Sequence, residues 1–298
     1  MTKLEKIVYL PSRITRNTLP ELIRKTNFIY ALSNTQQPGV YFFINKIEEM
    51  DLLGVMMIYK ILEYSYKHKC FANPILSKND QLMQQVKRYG FGELISECFN
   101  DSEKAYKNLK TETIDGFLIA PVALINNACM AEKMANTTIL KIEQYLEKEN
   151  ILHTQDICIM LGVVLSELFS NFYAHSSDET NSVIVVRGNK NYIQITCADS
   201  GLGIIETMRN IDGYRAKTNQ HILQKALQKG VTSKPNTNHM GHGLWLIDDI
   251  VTQNNGILFV YTQSVKYTNF YRKKKIQDAP FWKGTIIDIV LNLTNPCY

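Results

Sequence analysis

The sequence lacks most of the features that would decide a function at once. Its 6 cysteines, Cys70, Cys98, Cys129, Cys158, Cys197 and Cys297, never fall within four residues of each other. That excludes a zinc knuckle and a Cys-x-x-Cys redox pair. Scattered thiols inside apolar runs fit a reducing compartment. Charged residues make up only 20% and the net charge is +5. Residues 1–150 carry 19 Lys/Arg against 17 Asp/Glu, and the remainder 14 against 11. Neither half is a basic module, so charge gives no case for nucleic acid as the main partner. No apolar run approaches the ~20 residues of a membrane span. The best, Phe117–Ile125, is interrupted by Pro121. MTKLEKIVYLPSR has no apolar centre of a signal peptide. Repeats and low-complexity tracts are missing too. These absences predict a cytoplasmic globular chain with no membrane partner.

What is present suffices for sizeable cores: 298 residues, 45% of them hydrophobic. On a prior of ~150 residues per domain this is a two-domain chain. We expect an α/β domain over residues 1–110, a connecting segment over 111–136 and a second domain over 137–298. In the first, Val40–Ile47 reads as a strand and Leu52–Tyr66 as a helix. Phe71–Leu76 is a second strand candidate. A helix carrying Leu82 and Val86 follows, capped by Ser77 or Asn79. Strand, helix, strand, helix suggests a parallel or mixed sheet. The run Phe117–Met130 is apolar and is expected to dock one domain on the other.

The second domain is richer. Thr137–Glu149 reads as an amphipathic helix, and Thr154 as the cap of a longer one over Asp156–Ala174. Ser182–Arg187 and Tyr192–Cys197 are strands around the turn signal GNKN. Glu206–Met240 is long, polar and weakly patterned. Ile257–Tyr261 and Thr285–Leu291 are late strands. They flank a basic, aromatic arm, Lys266–Lys275, read as a solvated hairpin with its aromatics on the sheet.

Four constellations carry chemistry. Glu167, Asn171 and His175 lie four apart in ELFSNFYAHS, within about 80° of helix surface. That arc overlaps the apolar stripe, where a merely solvated face would oppose it. A carboxylate there can orient or deprotonate water, and an amide oxygen suits Mg²⁺. In DSGLGI, Asp199 ends a strand and Gly201 and Gly203 let the backbone bend; such an Asp can accept from an exocyclic amine. Gly241 and Gly243 in GHGLWL open a helix whose N–H groups can meet phosphate. Gly284 and Thr285 open the last strand. Each has a plain alternative, from a Gly turn to an ordinary strand former. His239 and His242 lack further ligands at zinc spacing.

The ordered series, E-x-x-x-N, then D-x-G-x-G, then G-x-G-L, then a G-T strand, resembles the GHKL superfamily of gyrase-type, chaperone, histidine-kinase and mismatch-repair ATPases. The likeness covers about Thr137–Leu293. It implies a two-layer α/β sandwich with ATP between a mixed sheet and helices. It implies that Glu167 is the catalytic base, that Asn171 holds Mg²⁺, and that Asp199 reads the adenine amine. Gly201 and Gly203 would shape the adenine pocket, and Thr285 would support Asp199 through water. Gly241, His242, Gly243 and Leu244 would meet the phosphates under a lid of Ile204–Met240, where Lys234 could reach a phosphate or remain a solvated lysine. A phosphoacceptor histidine is missing: His68 precedes Lys69 and His153 precedes Thr154.

VYFFINKIEEMDLLGV resembles the STAS domain of anti-sigma-factor antagonists. Asp51, Gly54 and Val55 match that family's D-S-S-G-L in type, while Leu52 and Leu53 replace the phosphorylatable serines. The resemblances together imply a STAS-like domain followed by an ATP-binding regulatory switch with slow ATPase activity and a protein partner. The alternative is an anti-sigma-type kinase of serine or histidine acting on a separate partner, and a third is a nucleotide-holding module without chemistry. Homodimerisation is left open.

Overall fold

The computed structural model describes residues 5–31, 39–43, 46–68, 80–98, 116–124, 128–175, 182–211, 213–231 and 243–294. The chain divides into two compact units, Met1–Ile114 and Asp115–Tyr298. Among the described residues no helix is long and apolar enough to cross a membrane.

In the first unit, β1 (Glu5–Tyr9) is followed by β2 (Arg13–Ile14), α1 (Leu19–Thr26) and a 3₁₀ turn (Asn27–Ala31). Strands β3 (Gly39–Phe43) and β4 (Glu49–Met50) then pair in parallel with β1 and β2 respectively. Helix α2 (Leu52–Lys67) is buried at every position from Leu52 to Ser65. A helix apolar on all sides belongs inside a core. Its start is fixed by Asp51, whose Oδ1 accepts the Gly54 N–H at 2.8 Å and whose Oδ2 accepts the Arg16 N–H at 3.0 Å. A β-carbon on Gly54 would overlap the Ile14 carbonyl, so glycine is required by close approach. Inside α2, Glu63 takes both Lys60 and, at 3.2 Å, Lys67. Helices α3 (Asp80–Arg88), which buries Leu82 and Val86, and α4 (Gly92–Glu97) follow. The strand candidate Phe71–Leu76 and the caps Ser77 and Asn79 lie outside the described residues.

The second unit is built on one five-stranded sheet in the order β5-β6-β7-β9-β8. Its elements are β5 (Phe117–Leu124), α5 (Ala128–Lys148), α6 (Thr154–His175), β6 (Ser182–Gly188), β7 (Tyr192–Ala198), α7 (Gly203–Arg209), α8 (Asn219–Ala226), α9 (Gly243–Gln253), β8 (Ile257–Phe270) and β9 (Lys273–Asn292). Helices α5 and α6 pack together as a hairpin and bury Ile142, Leu146, Leu161, Leu165 and Leu168 in one cluster with sheet residues Ile193, Ile195 and Ile289.

Every described pairing of this sheet is antiparallel, so the mixed sheet is not found. The connections explain it. β6–β7 and β8–β9 are hairpins, and the helix hairpin α5–α6 returns the chain antiparallel between β5 and β6. β8 runs in the direction of β7, but β9 lies between them. The apolar run from Phe117 contains the strand β5, paired with β6, with Pro121 at a break in register. A residue without an N–H is tolerated there. The polar stretch from Glu206 contains most of α7 and all of α8. Ile222 and Leu223 of α8 are fully buried, and Thr218 caps the helix by accepting the His221 N–H at 3.2 Å. Thr154 is the first residue of its helix, and its hydroxyl donates back to the Ile151 carbonyl.

The late strands are nearly three times the expected length, 14 residues for β8 and 20 for β9. The register of β8 against β9 breaks at Gln263, which has φ 51°. Beyond it the hairpin folds back over α9. The Tyr271 N–H reaches the Gly256 carbonyl at 3.0 Å, and Arg272 donates to the Thr252 carbonyl at 3.2 Å. The aromatics divide: Tyr267 is in the core and Tyr271 is exposed.

Candidate functional site

The candidate residues fall into two groups. The first stands at the end of β7. The Asp199 carboxylate is buried and accepts two backbone N–H groups, Gly201 at 2.6 Å on Oδ1 and Thr285 at 3.1 Å on Oδ2. Its own N–H donates to the Thr285 carbonyl at 2.9 Å, and its carbonyl accepts the Trp282 indole N–H at 3.3 Å. Thr285 therefore holds Asp199 directly, through its backbone, where the resemblance implies support through water. Gly284, at φ 107°, lies against the Asp199 carbonyl, where a β-carbon would overlap. Gly203, at φ 73°, opens α7, and the next N–H, of Ile204, donates to Thr262 Oγ1 at 3.1 Å. The hydroxyl of Thr262 in turn donates to the Gly284 carbonyl at 3.0 Å. Asp199, Gly201, Gly203, Gly284 and Thr285 thus form one backbone-locked corner.

The second group lies where α6 meets α9. Glu167 and Asn171 are both half-buried. Gly243, the first residue of α9, sits against them: a β-carbon there would overlap Glu167 Oε2 and stand 3.4 Å from Asn171 Nδ2. An acid, an amide and a helix start are therefore in contact. The N–H groups of that start carry the positive end of the helix dipole. Leu244 packs against the core as the second residue of α9. Gly241, His242 and Lys234 lie outside the described residues, as does the side chain of His175.

The donor set fits a hard cation that keeps most of its waters. Asn171 offers an amide oxygen and Glu167 a carboxylate, a sparse oxygen set of the kind Mg²⁺ accepts. No group of three or more His, Cys, Asp and Glu residues gathers among the described residues, so a zinc-type cage is not formed there. Two described thiols are held in the protonated form. Burial, and then the charges of Asp288 and Asp199, push the Cys197 thiol well up. Burial, and then Glu143 and Glu147, raise Cys158 to about 11. Both remain protonated at neutral pH, and a thiol is a poor nucleophile.

One feature escapes sequence reasoning. On α9, buried Asp248 accepts the Tyr267 hydroxyl at 2.7 Å, Asn269 Nδ2 at 2.8 Å and Lys274 at 2.7 Å. It ties the folded-back arm to the helix that starts at Gly243. Burial, and then the bond to Asp248, push the Tyr267 hydroxyl far above its usual range. Beside this network a cleft of about 310 Å³ is lined by Lys229, Trp245, Asp248, Asp249 and Lys274. Lys229 lies 4.9 Å from the centre of the Trp245 ring. The only sequence signal was the polar pair Asp248–Asp249 within an apolar helix. No family model, no curated protein and no solved structure matches this chain.

Proposed function

We propose that this chain is an Mg-ATP-binding regulatory protein of the GHKL kind, a slow ATPase switch whose nucleotide state governs the grip on a protein partner. The observation that supports this reading is the contact of Glu167 and Asn171 with Gly243. It puts an acid able to orient water, an amide oxygen for Mg²⁺ and a phosphate-binding helix start within one site. In this reading Asn171 carries the metal, and Glu167 takes the proton of the attacking water. Asp199 accepts the adenine amine, and Gly201, Gly203 and Thr285 keep its carboxylate in place. Gly243 and Leu244, with Gly241, His242 and Lys234, meet the phosphates. The first unit acts as the STAS-like module toward the partner. Leu52 and Leu53 are buried at the start of its α2 and carry no hydroxyl, so the module has no phosphoserine switch there. A cytoplasmic location belongs to the same reading.

The test follows γ-labelled ATP with Mg²⁺ and the full chain. Release of free phosphate that Glu167→Ala abolishes, with ATP binding retained, supports the switch. Label that remains in ATP, or that moves onto protein, overturns it.

A further inference from the structure

We propose that the outer face of the β8–β9 arm is a docking surface for single-stranded nucleic acid. The register sorts the arm's side chains onto two faces. Tyr267 pairs with Ile276, and Asn269 with Lys274. These four point inward: Tyr267 and Ile276 join the core packing, and Asn269 and Lys274 bind Asp248. The alternate pairs, Lys266 with Gln277, Thr268 with Lys275 and Phe270 with Lys273, therefore share the outer face. All six are partly or fully exposed. At the tip Tyr271 is 56% exposed, and Arg272 is exposed beside it. From Thr262 to Gln277 the sequence contains no Asp or Glu. Asp278, the first acid after that run, stands opposite the core residue Val265 and so on the inner row. Lys274 is matched by Asp248, whereas among the described residues no carboxylate pairs with Lys266, Arg272, Lys273 or Lys275. Cations crowded on one face repel each other, and a surface that is merely solvated intersperses both signs.

The arrangement selects a linear polyanion that also carries rings. The cations lie along a ribbon, since the steps from Lys266 to Phe270 span ~14 Å at ~3.4 Å each. A lipid surface would engage the tip alone, and Lys266 stands at the far end from it. Thr268 and Gln277 fill the gaps between cations with neutral donors, which phosphate oxygens accept. The aromatics decide between phosphate and carboxylate chains. Tyr271 at the tip and Phe270 beside Lys273 offer ring faces on which bases stack, whereas the carboxylates of an acidic peptide gain nothing from them. The face is also held in advance. Asp248 grips the arm from within, and the Tyr271 N–H and the Arg272 guanidinium are tied to the Gly256 and Thr252 carbonyls. A ribbon so held loses little freedom on binding. Net charge counted over each half of the chain dilutes this cluster, because only the register brings these cations to one side. The proposal stands independently of the nucleotide reading at Glu167 and Asp199.

Fluorescence anisotropy of a labelled oligouridylate of about 16 nucleotides, titrated with the full chain over a salt series, tests it. Contacts from the four cations predict that log K falls with log salt at a slope of about −3, at ~0.7 per contact on a single strand. Lys273→Gln combined with Lys275→Gln should weaken binding at least about tenfold and flatten the slope by about 1.4. Tyr271→Asn removes the ring and suits the left-handed backbone there, at φ 50°. It should weaken binding about tenfold and leave the slope unchanged. These side chains are exposed, so the circular-dichroism spectrum should be that of the parent. Lys141→Gln, on α5 by the opposite sheet edge β5, should change nothing. An oligonucleotide that fails to bind at low salt overturns the proposal. So does binding indifferent to the arm variants, polyphosphate or polyglutamate bound as tightly as the oligonucleotide, or a preference for phosphatidylserine vesicles over it.

Discussion

Gly243 and Glu167 touch so closely that no other residue type fits at position 243 without moving the acid. The contact joins the two helices that carry the proposed chemistry. It makes Gly243→Ala a sharp probe. The carboxylate ends a flexible side chain and can swing away, so the fold should lose little, about 1 kcal/mol on the scale of modest overpacking. Phosphate release from ATP should fall at least tenfold, because the acid leaves its place. Melting temperature and turnover measured on one preparation separate the two effects.

Asp199 offers a second test. Asp199→Asn replaces an oxygen that accepts a backbone N–H with an amide that donates. One of the bonds from Gly201 or Thr285 is lost, and the orphaned donor costs about 1–3 kcal/mol. Urea unfolding should show that loss, and calorimetric titration should show ATP binding weakened at least tenfold. Retained affinity would remove Asp199 from the nucleotide site.

Asp248 should prove structurally costly. Asp248→Ala leaves the Tyr267 hydroxyl, Asn269 and Lys274 without their shared acceptor. Lys274 is partly exposed and can turn to water, while a buried neutral donor left without its acceptor costs about 1–3 kcal/mol. Amide exchange should accelerate first across Tyr267–Lys275, the segment the carboxylate pins to α9. An arm that stays as protected as in the parent would contradict the fold-back.

The raised thiol of Cys158 predicts an alkaline limit. Its pKa is about 11 in the folded chain against 9.0 for a free thiol. A group whose folded pKa lies above its unfolded value stabilises at low pH and stops doing so as pH rises. Between pH 9 and 11 the unfolded chain loses this proton and the folded chain keeps it, so stability falls across that window. Cys158→Ala should flatten the decline, read from denaturation midpoints at successive pH values.

Much of the second unit was legible in sequence because its signals are local. The period of α6 and the spacing of Glu167 and Asn171 are properties of one helix. The turn GNKN, where Asn189 Oδ1 accepts the Asn191 N–H at 2.9 Å, sits between two readable strands. What escaped depends on distant partners. Trp282 and Thr285 reach Asp199 from more than 80 residues away, through hydrogen bonds that no periodicity encodes. Asp248 looks like one polar position on an apolar helix until the hairpin folds back and supplies its three donors. Helix α8 buries only Ile222 and Leu223, too few apolar residues to stand out from a polar stretch. The first unit shows the reverse case. Asp51 and Gly54 stand out in sequence as part of a motif, and the structure also gives them packing roles, as a helix cap and a close approach to Ile14.

The position of β9 between β7 and β8 has a consequence for synthesis. While the ribosome has delivered the chain only as far as Phe270, β7 and β8 each have a vacant edge and nothing between them. Unpaired edges invite pairing with other chains. Completing the sheet requires threading Lys273–Asn292 into that gap, a step between segments far apart in sequence, and such steps are slow. Because Gly284, Thr285 and Trp282 belong to this inserted strand, the corner around Asp199 matures only at that step. The nascent protein therefore carries unpaired strand edges before it owns a finished site.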